Sequence, residues 1–523
     1  MGSCSGEALL VIALLAVVSG SALWWFSTRG HLLYYGDALA HLNIARRVVD
    51  SRTPGYAQIG TVWLPLPHLL MLPLAGDDSL WRSGLAGAIP SAVFFVMGGA
   101  FLFGAVRRAL ESRAAAATAV ALYVLNPNVL YLQSIPMTEP IAAGTLFAVL
   151  YFSVRFRAGP SLRHAAAAGL AALGGTLTRY EAWFLIPFVA LYLFAAGGRR
   201  KWCAALLFGV IASLGPLYWL GHNLWFYGDP LEFYRGPWSA QAIYQRALAS
   251  GMQRYPGDGD PVTAARYYAA AVRLCAGWPL AVIGATGLGA AIVRRRRWPV
   301  ALFSLPPLFY VWSLYSAGTP VFVPHLWPHS WYNTRYGLAA LPLLAVGGAS
   351  GVPLAPRWLR AVAGVGVAAA SLAAWLPQPN PDAWVCWKES QVNSEGRRAW
   401  TREAAGYLRG RYRGGGILYS FGDLTGVFLE AGIPLRETLH SGNAPVFDAA
   451  LARPDLFLKE EWALAMSGDA VATALVRAHR HGPRYECVKM IALKGAPVIE
   501  IYRRAAAPPV VDTGTAGPER PAR

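Results

Sequence analysis

Apolar residues in this chain gather into long unbroken runs, not into the alternating pattern of a half-buried strand. Runs near 8–26, 85–106, 114–131, 140–156, 164–178, 182–196, 202–220, 276–293, 299–317, 336–350 and 361–377 each approach the length needed to cross a hydrocarbon layer of about 30 Å. They predict about eleven membrane-spanning helices. The first, "ALLVIALLAVVSGSALWWF", is uncharged and has no basic stretch before it, so it is expected to stay as a helix and not to be removed as a leader. After residue 378 the pattern changes. "YLRGRYRGGGILYSFGD" introduces a Gly turn and a short β-branched run, "DAVATALVRAHRH" reads as an amphipathic helix, and "YECVKMIAL" and "APVIEIYRR" read as strands. The fold class expected is mainly α: a polytopic helical bundle over 1–377, a small extracytoplasmic α/β domain over 378–504, and a disordered tail over 505–523 rich in Pro, Ala and Gly.

Charge gives this layout a direction. The chain is 55% hydrophobic and carries a formal +18, but its basic residues fall in short clusters between apolar runs and form no continuous stripe, which argues against a nucleic-acid partner. With a cytoplasmic N-terminus, Arg107, Arg108, Arg113, Arg155, Arg157, Arg163, Arg199, Arg200, Lys201, the run 294–297, Arg357 and Arg360 all fall on the inner side, as the positive-inside rule requires. Of the twelve carboxylates before residue 378, only Glu7 and Glu111 join them. The expected location is the cytoplasmic membrane, with the acidic chemistry and the C-terminal domain outside. The five cysteines form no C-x-x-C pair and no zinc spacing; Cys386 and Cys487 are equally compatible with a disulfide and with two free thiols.

Four segments on the outer side concentrate polar chemistry. "YYGDALAHLNIARR" places Asp37 at the start of a helix, one turn before His41, with Leu39, Leu42, Ala45 and Val49 on one stripe and Arg46 and Arg47 off it, as in a helix lying on the membrane surface. Asp37 reads either as an N-cap or as a general base at the membrane boundary. In "SIPMTEPIAAG", Glu139 reads either as a cap with Thr138 before Pro140 or as a functional carboxylate against the bilayer. The stretch from His164 to Ala196 would make a helix of about 50 Å, longer than a bilayer core, so a turn is expected at "TRYE". Each arm is then short, about 22 Å, and Arg179, Tyr180 and Glu181 sit below the interface. Arg179 and Glu181 there must pair with each other or line a wet cavity. The fourth segment, "HLWPHSWYNTRYGLAALP", ends with Arg335 and Tyr336 as a helix begins. Arg335 either snorkels to the interface or holds a lipid phosphate. His325 and His329 lie four apart between prolines and are not expected to bind metal. Two arginines and three carboxylates on one outer face suit group transfer from an anionic lipid carrier: the arginines offset leaving-group charge and a carboxylate takes a proton.

With those segments assembled, the chain resembles the GT-C class of membrane glycosyltransferases, the superfamily of the protein O-mannosyltransferases and lipid A aminoarabinose transferases. The resemblance rests on the first loop with Asp37, "MTEP", "LTRYEAW", "NTRYGLAALP" and the appended domain. It implies a polyprenyl-phosphate sugar donor, inversion at the anomeric carbon and Asp37 as catalytic base. It also implies that Glu139 is the second acid of the site and that Arg179 and Arg335 contact the donor phosphate. His41, Tyr180, Glu181 and Tyr336 are expected to orient the substrates. The acceptor is a hydroxyl of lipid, glycan or protein, and membrane lipids surround the bundle. The pattern departs from relatives that carry an adjacent acidic pair where this chain has "GDA". No cofactor is expected, although a divalent metal stays open because only some members use one. The competing class is a transporter or lipid flippase, since broken helices with intramembrane charge also describe substrate pathways. A third is a membrane-anchored binding protein acting through its outer domain. The sequence leaves open which sugar and acceptor are used, the oligomeric state and the role of the C-terminal domain.

Overall fold

The computed structural model describes residues 2–293, 297–316, 318–376 and 383–505; the expected disordered tail lies almost wholly outside these. Contacts divide the chain into 1–399 and 400–523.

The first unit is a helical bundle. Its principal helices are α1 Gly2–Thr28, α2 Gly36–Val49, α3 Leu85–Leu110, α4 Glu139–Ala158, α5 Leu162–Thr176, α6 Glu181–Ala196, α7 Lys201–Tyr227 and α8 Arg297–Tyr315. The long helix α9, Val385–Arg411, carries the chain from this unit into the next. Each apolar run of the sequence falls largely in helix. By length and composition six of the described helices can cross a membrane, or eight if the bent pairs Arg113–Val124 with Pro127–Gln133 and Pro261–Ala276 with Trp278–Val293 each count as one span. The expectation of about eleven spans exceeds this number, because α5 and α6 are short and α8, with Pro306 and Pro307 inside it, is not both long and apolar enough to count.

Two close approaches set the positions of the elements that matter later. A Cβ on Gly98 of α3 would lie 2.9 Å from the Cα of Gly144, and one on Gly144 would lie 2.9 Å from the carbonyl oxygen of Phe94. Only glycine lets α3 and α4 pack backbone to backbone here, which fixes the start of α4. A Cβ on Gly337 would come within 2.5 Å of the Ala271 carbonyl, so the short 3-10 segment Thr334–Ala340 can lie directly against Pro261–Ala276.

Helix α2 departs from the surface helix expected of it. Leu39, Leu42 and Ala45 are buried as the stripe requires, but so are Arg46 and Arg47, while Val49 is exposed. Burial of the two arginines is compensated by partners the periodicity cannot show. Arg46 donates to Asp50, Asp78 and the carbonyls of Ala75 and Gly76, and Arg47 donates to the Gln58 carbonyl.

The second unit contains a mixed five-stranded sheet: β1 Ile417–Tyr419, β2 Thr438–Leu439, β3 Trp462–Met466, β4 Tyr485–Ile491 and β5 Ile499–Arg504. The order is β2-β1-β3-β5-β4, with β1 parallel to β2 and β3, and β5 antiparallel to β3 and β4. Helix α10, Ala470–His481, starts at an Asp469 cap and buries Val471, Leu475 and Ala478 in a core with Leu418, Ala463 and Ala465. Cys386 and Cys487 are both free thiols, the first buried and the second exposed.

Candidate active site

The break between α5 and α6 falls where the sequence requires it. Leu177–Tyr180 leave the helix, and the freed carbonyls are taken up locally: Thr178 donates its hydroxyl to the Gly174 carbonyl at 2.7 Å, and the Trp183 indole donates to the Thr176 carbonyl at 2.7 Å. Backbone groups exposed by a broken helix in an apolar setting need such partners. The turn carries Arg179 inward. Its Nε donates to Glu181 at 2.6 Å, its Nη1 to the Thr138 hydroxyl at 2.7 Å and to Glu139 at 3.1 Å, and its Nη2 to the Tyr310 hydroxyl at 2.6 Å. The Tyr310 hydroxyl also donates to Glu181.

Arg335, from the 3-10 segment, meets this group from a different part of the chain. Its Nε donates to the same Glu139 oxygen at 3.1 Å, its Nη2 donates to Asp37, and its Nη1 lies 3.6 Å from Glu389. The guanidinium also lies over the rings of Tyr35 and Tyr336. Glu139 therefore bridges both arginines through one oxygen, while its other oxygen, Oε2, is buried without a hydrogen-bond partner.

Both capping readings fail. The residue before α2 is Tyr35 with no side-chain cap, and Asp37 turns to Arg335 instead. Thr138 precedes α4 without capping it, and its hydroxyl accepts from Arg179. The Arg179–Glu181 ion pair is real but is one edge of a larger network.

All eight residues singled out in the sequence, Asp37, His41, Glu139, Arg179, Tyr180, Glu181, Arg335 and Tyr336, line one open cavity of about 450 Å³. Trp63, Phe233, Tyr234, Phe309 and Trp312 supply aromatic walls. His41 shares a hydrogen bond with His68 at 2.9 Å and packs on Trp63. Burial, helped by Arg179 and Arg335 and opposed by Asp37 and Glu139, lowers its pKa to about 4, so the ring is neutral at pH 7. Tyr180 faces a different side of the site: its hydroxyl donates to the Val62 carbonyl and its ring stacks on Phe233. A second, apolar cleft, lined by Phe94, Leu146, Ala172, Leu185 and Val189, reaches the same Glu139, Arg179, Arg335 and Tyr336. The two arginines thus stand where the cavity that holds Asp37 and His41 meets a more apolar cleft.

The four acids differ sharply in access. Asp37 is 41% exposed, against 16% for Glu139, 15% for Glu181 and 2% for Glu389. Among the described residues no three His, Cys, Asp or Glu side chains converge as metal ligands, and Asp37 and Glu139 present oxygens to guanidinium groups. His325 pairs with Arg273 and His329 with the Pro324 carbonyl, so those two do not act together.

Sequence reading missed Tyr310 and Glu389. Tyr310 lay inside an apolar run as the hydroxyl in "LFYVW". Glu389 was assigned to the polar C-terminal part; the available signal was a carboxylate close to Trp384, Cys386 and Trp387.

Comparison with known proteins points the same way. Residues 78–220 match the family model for dolichyl-phosphate-mannose-protein mannosyltransferase. The crystal structure of ArnT from Cupriavidus metallidurans bound to undecaprenyl phosphate superposes with a TM-score of 0.57 at 16% identity, covering 95% of this chain and 98% of that one. ArnT from the same organism in the apo state gives 0.55 at 16% identity, covering 96% and 98%. No curated sequence is a detectable relative. Over nearly its whole length the chain shares the fold of ArnT. With its apolar helices, this makes the chain a multi-pass membrane protein. A transporter or flippase is not favoured.

Proposed function

We propose that this protein moves a sugar from a polyprenyl-phosphate donor to an acceptor hydroxyl on the extracytoplasmic side of the cytoplasmic membrane, with inversion and with Asp37 as general base. The observation that carries the reading is the pair of arginines at the junction of an apolar cleft and the open cavity that holds the charged residues, with one accessible carboxylate beside them. ArnT has the same fold and is known bound to undecaprenyl phosphate. An equivalent lipid here lays its tail in the apolar cleft and its phosphate against Arg179 and Arg335.

The acceptor oxygen attacks the anomeric carbon as the bond from that carbon to the phosphate oxygen breaks. Its proton passes to Asp37, the acid most open to the cavity. The phosphate leaves with an additional negative charge, which the two guanidinium groups offset in a setting where little water competes. A single displacement inverts the anomeric centre. Neutral His41 and the aromatic walls orient the sugar, since apolar sugar faces pack on aromatic rings while a neutral imidazole exchanges hydrogen bonds without adding charge. No step passes through a metal. The second unit, for which the charge distribution of the loops supports an outer location, is assigned no step.

The test is transfer of labelled sugar from a polyprenyl-phosphate donor by protein purified in nanodiscs. Asp37→Asn should lower turnover by about two to four orders of magnitude; turnover like that of the parent removes Asp37 from the base role.

A further inference from the structure

Glu389 is the least exposed acid in the site and has no part in the transfer step. It stands near the start of α9, and its carboxylate accepts the backbone N–H of Asn333 at 3.1 Å, the N–H of Thr334 at 2.8 Å and the Thr334 hydroxyl. Asn333 adopts a left-handed conformation, φ 53°, and consecutive N–H groups at such a turn converge on one anion. A neutral acceptor would suffice to satisfy the start of a 3-10 segment. A fully buried carboxylate is costly unless a cation shares it, and the cation is Arg335, 3.6 Å away. Each nitrogen of Arg335 therefore meets a different carboxylate: Nε meets Glu139, Nη2 meets Asp37 and Nη1 meets Glu389.

These three contacts are not equivalent. Asp37 borders the cavity and is free to exchange its contact for substrate. Glu389 is held by two backbone amides and a hydroxyl immediately before Arg335, so it stays when a donor arrives. We propose that Glu389 is a positioning residue that holds Arg335 in the orientation required to receive the donor phosphate. The proposal rests on the donor reading above and adds to it a residue from α9, the helix that continues into the second unit.

The test compares binding of undecaprenyl phosphate with binding of undecaprenol, the same chain without phosphate, by tryptophan fluorescence of full-length protein in nanodiscs. The parent should prefer the phosphate. Glu389→Gln keeps the shape but loses the charge, and should cut that preference by about tenfold while leaving undecaprenol binding within about twofold. In an Arg335→Gln background the same change should have no further effect, because Glu389 acts through Arg335. A preference retained in Glu389→Gln, or equal loss of both lipids, overturns the positioning role and leaves the donor reading intact. No preference in the parent overturns the donor reading itself. If Glu389→Gln does not fold, Thr334→Val removes one contact to the carboxylate and should reduce the preference by about threefold; an unchanged preference then overturns the proposal.

Discussion

Helix α2 touches two ionic clusters, one at each end, and they are built from the same materials. Near its C-terminal end Arg46 is buried among Asp50, Asp78 and two carbonyls, with Trp81 packed over the guanidinium. At its N-terminal end Asp37 meets Arg335, Glu139 and Arg179, with Tyr336 packed against both guanidinium groups. The difference lies in what remains unused. Neither Arg46 nor Asp50 lines the cavity, whereas the second cluster opens onto it through a partly exposed Asp37 and leaves Glu139 Oε2 without a hydrogen-bond partner. Buried charge pairs alone do not mark an active site. What sets the second cluster apart is that it opens onto the cavity through Asp37.

The sharpest way to break this comparison is to remove one side chain from each cluster. Asp37→Asn should cost about two to four orders of magnitude in turnover and leave the melting temperature near that of the parent. Arg46→Met should do the reverse. It removes the buried guanidinium that donates to Asp50, Asp78 and the carbonyls of Ala75 and Gly76, a loss of about 3–5 kcal/mol, visible as a lower thermal transition in detergent, while turnover per folded molecule stays unchanged. If Arg46→Met protein that remains folded is inactive, the separation of the two clusters is wrong.

That separation was only half visible in the sequence. Asp37, Glu139, Arg179 and Arg335 stand out because each is a charge at the edge of an apolar run, where ionised groups are expensive and need a reason. Their sidedness followed from the arginine clusters of the inner loops. Periodicity could not reveal that Arg46 and Arg47 turn inward, because their partners Asp78 and Gln58 come from outside the helix. Tyr310 was hidden for the opposite reason: a tyrosine in an apolar span looks like any aromatic, and only the approach of α8 to the α5–α6 break gives its hydroxyl two charged partners. Glu389 joins from more than fifty residues beyond Asn333 and Thr334, a juxtaposition that no local pattern encodes.

A smaller effect separates the clusters by pH. His41 has a pKa lowered to about 4 in the folded protein by burial, against about 6.5 when unfolded. The unfolded chain therefore binds the extra proton first as pH falls. The contribution of His41 to stability is complete above pH 6.5 and is lost between about 6.5 and 4. It amounts to at most about 3 kcal/mol. Melting temperature measured across that window should drop for the parent and drop less for His41→Gln; equal slopes would mean that the ring is already charged in the folded state.

The mildest change is the most diagnostic of how the arginines are held. Tyr310→Phe removes one hydroxyl, which accepts from Arg179 and donates to Glu181, and keeps the ring that stacks on Tyr336. A hydrogen bond to a charged group contributes about 1.5–3 kcal/mol, but Arg179 retains Glu139, Glu181 and Thr138, so the net loss should fall at the lower end, near tenfold in kcat/KM. It should appear mainly in donor KM, because the guanidinium survives and only its aim is loosened. Trp81→Phe is the matching change in the closed cluster. It removes the indole N–H that donates to Asn43 and trims the cover over Arg46, and should lower the melting temperature without altering donor KM. If Tyr310→Phe lowers the melting temperature as Trp81→Phe does and leaves donor KM unchanged, Arg179 belongs with Arg46 as part of the scaffold, and the phosphate is left to Arg335 alone.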